Sequence, residues 1–321
     1  MKRRDFLSRA AACWLGAGLA DRAAAYAQPG PAAFAARKGS NSAARYYDVR
    51  KLYHVGVSSN SFRNYFAVTR SNSFRLPGPA LALLDFPQMV ADRYEVHNLE
   101  FLASHFASTE PHYLAELWRE LARLHSRVIN IQLDIPELNS GEGLSDPNPA
   151  VRDAAVEAVR RWIETARRLR ARSVCAGPGK TNPADVSPTV EAYRRLAAYA
   201  RPRDGHVLIE NTAGVEPDEV LAVIRGVGGY VTGALPDFAG FASEAARVAG
   251  LRALFPRAVT LCHAVGSAFD GRGNEKTFNF QGCVEISKQL RFRGVYSVDY
   301  RGTGDSYQGV QNIINELMRD L

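Results

Sequence analysis

The chain has 321 residues, 46% of them apolar, and carries a formal net charge of +7. This is enough for one large domain or two small ones, and a strand-rich α/β barrel alone can use about 250 residues. No internal stretch reaches the roughly 18 uninterrupted apolar residues of a spanning helix, which argues against stable membrane insertion.

Residues 1–27 read as an export signal. Arg3-Arg4 precede Asp5-Phe6-Leu7, a modest apolar stretch runs from Ala10 to Ala20, and Ala25-Tyr26-Ala27 forms a small-x-small cleavage site. The paired arginines resemble the twin-arginine motif. The expected partner is therefore the twin-arginine export machinery, and the expected location is periplasmic or otherwise exported. That route carries folded proteins, often with a cofactor inside, so an exported metalloprotein is a natural expectation. A basic, Ala-rich amphipathic helix is the competing reading. Loss of Lys2, Arg3, Arg4, Arg9 and Arg22 with Asp5 and Asp21 lowers +7 by three, to a mild +4. Cys13 would leave with the signal, and Cys175, Cys262 and Cys283, an odd number without C-x-x-C spacing, give no disulfide framework.

Residues 28–50 are rich in Pro, Gly, Ala and Ser and read as a linker or extension, leaving 51–321 as the folded domain. Strand-like apolar runs then recur in "YHVGVSS" from Tyr53, "VHNLEFL" from Val96, "VINIQLD" from Val128, "SVCAG" from Ser173, "HVLIEN" from His206, "YVTGALPD" from Tyr230, "AVTLCHA" from Ala258 and "GVYSVDY" from Gly294. Amphipathic helices separate most of them. "PHYLAELWRELARLHS" sets Leu114, Leu117, Leu121 and Leu124 on one stripe, and "SPTVEAYRRLAAYARP" and "EPDEVLAVIRGV" show similar stripes ended by Pro or Gly. Eight alternating units predict a single (β/α)8 TIM barrel; a doubly wound open sheet is the alternative, against which no G-x-G-x-x-G follows the first strand. The basic run "RRWIETARRLRARS" is predicted to be a helix with a solvated face, because no aromatic residues interleave with its arginines as nucleic-acid binding would require.

In such a barrel, chemistry sits at the C-terminal ends of the strands. The polar residues that end apolar strands are Glu100, Asp134, Glu210, Asp237, His263 and Asp299. Glu210, Asp237, His263 and Asp299 end the fifth to eighth strands, so they converge on one volume. Three carboxylates and an imidazole there call for a cation, since a divalent ion reverses their mutual repulsion. An oxygen-rich set with one imidazole prefers Mn2+ or Mg2+, with Zn2+ or Co2+ also compatible. Each residue also has a separate role open to it: Glu210 paired with a basic residue, His263 hydrogen-bonded at a strand end, Asp237 capping a helix and Asp299 forming a turn.

The segments "VLIENTAG", "ALPDFAGF", "TLCHAVGSAFDGRGN" and "GVYSVDYRGTGDSYQGV" resemble the xylose-isomerase-like TIM barrels known as sugar phosphate isomerases/epimerases. "LEFLASHF" and "LSDPNPAVRDAAVEAVRRWIETARRLRA" match the same family. The resemblance runs from about Lys51 to the end and implies one divalent metal held by Glu210, Asp237, His263 and Asp299. It implies proton transfer next to a carbonyl, with the metal stabilising an enediolate, Glu210 removing the α-proton and Asp299 returning it. The small-molecule partner would be a carbohydrate or polyol, and, outside the cytoplasm, a free or oxidised sugar rather than a sugar phosphate. Glu100, His105, Asp134 and Lys180 are weaker candidates for substrate hydroxyls, with buried structural pairing equally open to Glu100 and ordinary solvent contacts on loops open to His105 and Lys180. Three positions depart from the family: Asp299 stands for the usual Glu, Thr212 follows Asn211 in place of His, and Val265 replaces a Lys. These departures keep open a non-catalytic metal- or carbohydrate-binding barrel, as well as a lyase or hydratase acting on an oxidised sugar. A DNA-cleaving relative of the endonuclease IV type needs more strand-end histidines than the seven in this chain supply.

Overall fold

The computed structural model describes residues 47–139, 143–182, 184–212 and 214–321. The expected export signal and all but the end of the expected linker lie outside the described residues. The compact body begins at Tyr47 rather than Lys51. Tyr47 donates its hydroxyl to Asn315 at 2.6 Å and Lys51 Nζ donates to the Met318 carbonyl at 2.7 Å, both in the last helix.

Eight parallel strands form the sheet: β1 (Val55–Ser58), β2 (Asn98–Leu102), β3 (Arg127–Leu133), β4 (Ser173–Ala176), β5 (His206–Glu210), β6 (Thr232–Leu235), β7 (Leu261–Gly266) and β8 (Val295–Tyr300). A helix follows each in turn: α1 (Phe86–Tyr94), α2 (Pro111–Arg123), α3 (Pro149–Arg168), α4 (Ser187–Ala200), α5 (Pro217–Val227), α6 (Glu244–Leu254), α7 (Phe280–Gln289) and α8 (Ser306–Asp320). The strand order is β6-β5-β4-β3-β2-β1-β8-β7. The two ends of that order meet through isolated parallel bridges, Ala234 with Ala258 and Asp237 with His263. This closes the (β/α)8 barrel that the alternating pattern predicts and excludes the open sheet. The seam falls on two candidate site residues: His263 N donates to the Pro236 carbonyl at 2.8 Å and Phe238 N to the His263 carbonyl at 3.2 Å.

Side chains two apart on a strand face the same way. Ile129, Cys175, Leu208, Leu235, Leu261 and Val295, from six consecutive strands, pack together as a separate buried cluster. Residues on so many strands meet only inside the barrel, so these form an inner layer. The next inward position on four of those strands is Glu210, Asp237, His263 or Ser297, and Asp299 lies one step beyond Ser297. The apolar layer thus forms a floor on which the polar residues stand. A larger cluster fills the space between the strands and the helices, where the predicted leucine stripe of α2 buries Leu114, Leu117 and Leu121. Leu124 is the residue after that helix, half-buried, because His125 turns the chain at a positive φ of 52°.

On α3 the arginines pair with acids of the surface, Arg160 with Glu157 at 2.6 Å and Arg167 with Glu164 at 2.9 Å. Cys175, Cys262 and Cys283 are buried free thiols. No helix among the described residues is long and apolar enough to cross a membrane.

Candidate metal centre

Glu210 is the last residue of β5, Asp237 follows β6 and His263 lies in β7. Each offers one ligand atom, and the three atoms lie within 4.8 Å of one another on wholly buried residues. His263 Nδ1 is 2.6 Å from Glu210 Oε1 and 3.6 Å from Asp237 Oδ2. The other Asp237 oxygen accepts from the backbone N–H groups of Ala239 and Gly240, at 2.7 and 3.1 Å, which leaves Oδ2 facing the cluster. Asn211 holds the Asp237 backbone from both sides, accepting from its N–H at 2.8 Å and donating to its carbonyl at 3.2 Å.

Glu100 on β2 stands behind the imidazole. Its two oxygens lie 3.1 and 3.0 Å from His263 Nε2, and they also accept from Asn130 Nδ2 at 2.7 Å and Ser297 Oγ at 2.5 Å. The sequence leaves Glu100 open to a substrate contact or to buried structural pairing, and with no exposed surface it sits among protein partners in the second way. Were His263 to hold a metal, Glu100 would stand where an outer carboxylate fixes the ring and tautomer of a histidine ligand.

Electrostatics follow from this packing. Burial favours neutral imidazole, but Glu100 and Glu210 outweigh it and hold the His263 pKa well above the usual histidine value. Burial also opposes ionisation of Glu100, yet the His263 charge and the bonds from His263, Ser297 and Asn130 bring it below the ordinary carboxylate value. For Glu210 burial prevails over His263 and Arg301, and its pKa is raised. Asp237 is equally buried, but Arg301 and His263 pull it well down.

Asp299 stands outside the group of three. Asn60 Nδ2 reaches its oxygens at 3.0 and 3.3 Å, and Arg301 Nε donates to Oδ2 at 2.8 Å. The link to the cluster runs through the same guanidinium, whose Nη2 donates to Asp237 Oδ2 at 2.6 Å and to Glu210 Oε1 at 3.3 Å. On the far side of Glu210, Gln132 Nε2 donates to Oε2 at 2.9 Å, while Gln132 Oε1 is buried without a hydrogen-bond partner.

The remaining candidates are dispersed. His105 is buried, stacked on Phe66 with ring centroids 3.7 Å apart, and bonded through its two ring nitrogens to Ser59 and Thr69, each at 2.9 Å. Burial, helped by the Arg63 charge, brings its pKa down to about 3, so the ring is neutral and packed inside rather than on a solvated loop. Asp134 accepts from the Ser104 N–H at 2.8 Å and hydroxyl at 2.5 Å, tying the end of β3 to the turn after β2. Lys180 is exposed on the loop after β4, and Thr212 is exposed beyond Asn211. Val265 is buried within β7.

Residues 94–317 match the family described as xylose isomerase-like TIM barrel. The chain belongs to this family. No curated protein matches it in sequence. Among solved structures, a D-tagatose 3-epimerase-like protein is 16% identical with a TM-score of 0.63, over 83% of this chain and 97% of that one. An L-ribulose 3-epimerase is 15% identical, also with a TM-score of 0.63, over 83% and 94% of the two chains. A xylose isomerase-like TIM barrel protein from Mycobacterium smegmatis in complex with magnesium is 14% identical, with a TM-score of 0.58, over 83% and 97%. At these identities the likeness is one of fold.

In this xylose isomerase-like barrel, residue-by-residue reading of the sequence passes over Arg301, Asn60, Gln132 and Asn211. Arg301 carries a usable signal, because it follows Asp299 by the same two-residue step that places inward side chains. Asn60, Gln132 and Asn211 are neutral residues whose partners come from distant strands, and nothing local marks them.

Proposed function

We propose that this chain is an exported, divalent-metal-dependent sugar isomerase or epimerase that moves a proton at the carbon next to a carbonyl. The observation that carries this reading is the meeting of Glu210, Asp237 and His263 within 4.8 Å, with Glu100 behind the imidazole. The donor set fits a hard divalent ion: carboxylate oxygens with a single imidazole nitrogen, and an oriented outer partner for that nitrogen's ring. Mn2+ or Mg2+ suits it best, and Zn2+ or Co2+ would also be held. Family membership and the epimerase names among the similar folds point the same way.

Glu210, Asp237 and His263 would hold the ion, which when bound supplies Lewis acidity toward adjacent carbonyl and hydroxyl oxygens of the substrate. The chain's own residues do the rest. Glu210 takes the α-proton, and Gln132 fixes the direction of its second oxygen. Asp299, held by Asn60 and Arg301, returns a proton from the other side. Export through the twin-arginine route favours a free or oxidised sugar over a phosphorylated one.

The test is metal content by elemental mass spectrometry on protein purified in folded form, comparing wild type with Glu210→Gln and His263→Ala. A stoichiometric divalent ion in wild type, lost in both variants, supports the reading and justifies screening ketoses and oxidised sugars for epimerisation. Wild type that takes up neither Mn2+ nor Zn2+ on incubation sinks it.

A further inference from the structure

Arg301 contacts two of the three atoms that converge on the proposed ion position. Its Nη2 is 2.6 Å from Asp237 Oδ2 and 3.3 Å from Glu210 Oε1, the same two oxygens that face His263 Nδ1. Its Nε is anchored 2.8 Å from Asp299 Oδ2, and Asn60 holds that carboxylate in turn. The guanidinium therefore bridges three acids, at the ends of β5, β6 and β8, each of them almost fully buried. Its own side chain keeps 35% of its surface exposed, so it has a route into solvent.

We propose that Arg301 is a built-in counter-cation that competes with the divalent ion for Asp237 and Glu210. The inference rests on the metal-centre reading above and adds a device to it. Three neighbouring carboxylates repel one another, and a positive charge among them relieves that repulsion whether it belongs to an arginine or to an ion. A divalent ion and a guanidinium drawn to the same two oxygens repel each other strongly in a poorly solvated pocket. Loading the site thus requires Arg301 to leave Asp237 and Glu210, and the fraction of chains with the arginine swung away sets the apparent affinity. Without the ion, the same contacts keep the acid cluster compatible with a stable fold.

Mn2+ titrated into the metal-stripped full chain, with free Mn2+ read by electron paramagnetic resonance, tests this on wild type, Arg301→Gln and Arg301→Lys. Arg301→Gln is expected to bind about tenfold more tightly than wild type, a difference of about 1.4 kcal/mol. Arg301→Lys is expected to fall between them, because a single ammonium cannot donate to three separated carboxylates as the planar fork does. Equal or weaker binding by both variants, with wild type binding Mn2+, overturns the competition and leaves the metal centre standing. Absence of binding in all three proteins overturns both. Circular dichroism reports whether Arg301→Gln folds; if it does not, Arg301→Lys decides alone, and binding no tighter than wild type overturns the proposal.

Discussion

His263 Nε2 lies 3.0 and 3.1 Å from the two oxygens of Glu100, a carboxylate with no exposed surface, while the opposite ring nitrogen faces Glu210 and Asp237. The imidazole is therefore aimed rather than merely present. Glu100→Gln removes the charge that orients it while nearly preserving volume, and metal affinity is expected to fall by about 10–100-fold. Isothermal titration with Mn2+ checks this. An unchanged affinity would make Glu100 only a buried acid of the core.

Gly240 is a second control point that touches no ligand atom with a side chain. A Cβ there would stand 2.1 Å from the Asn211 carbonyl oxygen and 3.0 Å from its side-chain nitrogen. Backbone cannot yield to such an approach without moving Asn211, which holds both sides of the Asp237 peptide. Gly240→Ala is expected to destabilise the chain by about 1–3 kcal/mol, as overpacking does, and to weaken Mn2+ binding with it. Urea unfolding and the same titration read both effects, and stability equal to wild type would show that the loop relaxes freely.

Leu208 lies directly before Glu210 in inward-facing order, fully buried in the inner layer with Cys175, Leu235 and Leu261. Truncation to Ala opens a space that the rigid strands close poorly. Leu208→Ala is expected to cost about 2–5 kcal/mol in urea unfolding. A loss well under that range would mean that the layer repacks and does not support the site as a floor.

The three residues that meet at the candidate site are legible in the sequence for a definite reason. Leu208, Leu235 and Leu261 are each followed two residues later by Glu210, Asp237 and His263, so the strand period itself lifts a polar group above an apolar floor. The barrel is legible from the same alternation together with the leucine stripes of the helices. What is not legible is pairing across the barrel. Glu100 on β2 and His263 on β7 are separated in the sheet by β1 and β8, and no local pattern tells a carboxylate that its partner is an imidazole rather than a sugar hydroxyl. His105 misleads in the same way, because its partners Ser59 and Thr69 come from the loop after β1. The expected start of β7 at Ala258 also fails, since the 3-10 turn Phe255–Arg257 leaves Ala258 with a single bridge and pairing resumes only at Leu261.

Glu316 supplies a pH dependence that lies away from the metal centre. On α8 it accepts the Glu275 N–H at 2.9 Å, and Glu275 in turn accepts from the N–H groups of Ser267, Ala268 and Thr277, so the two acids pin the loop after β7 to the last helix. Burial, reinforced by the charges of Asp320 and Glu275 and opposed by the Glu275 N–H and Arg319, pushes the Glu316 carboxyl up to about 7. In the unfolded chain it titrates near the ordinary glutamate value of about 4.3. Between those two values the folded chain holds a proton that the unfolded chain has released. This contribution to stability is therefore complete below the ordinary value and is lost as pH rises through about 7. Glu316→Gln keeps an oxygen to accept the Glu275 N–H and cannot ionise. The wild-type urea midpoint is expected to fall more than the variant's between mildly acidic and mildly alkaline pH. Parallel profiles for the two proteins would place the titration elsewhere.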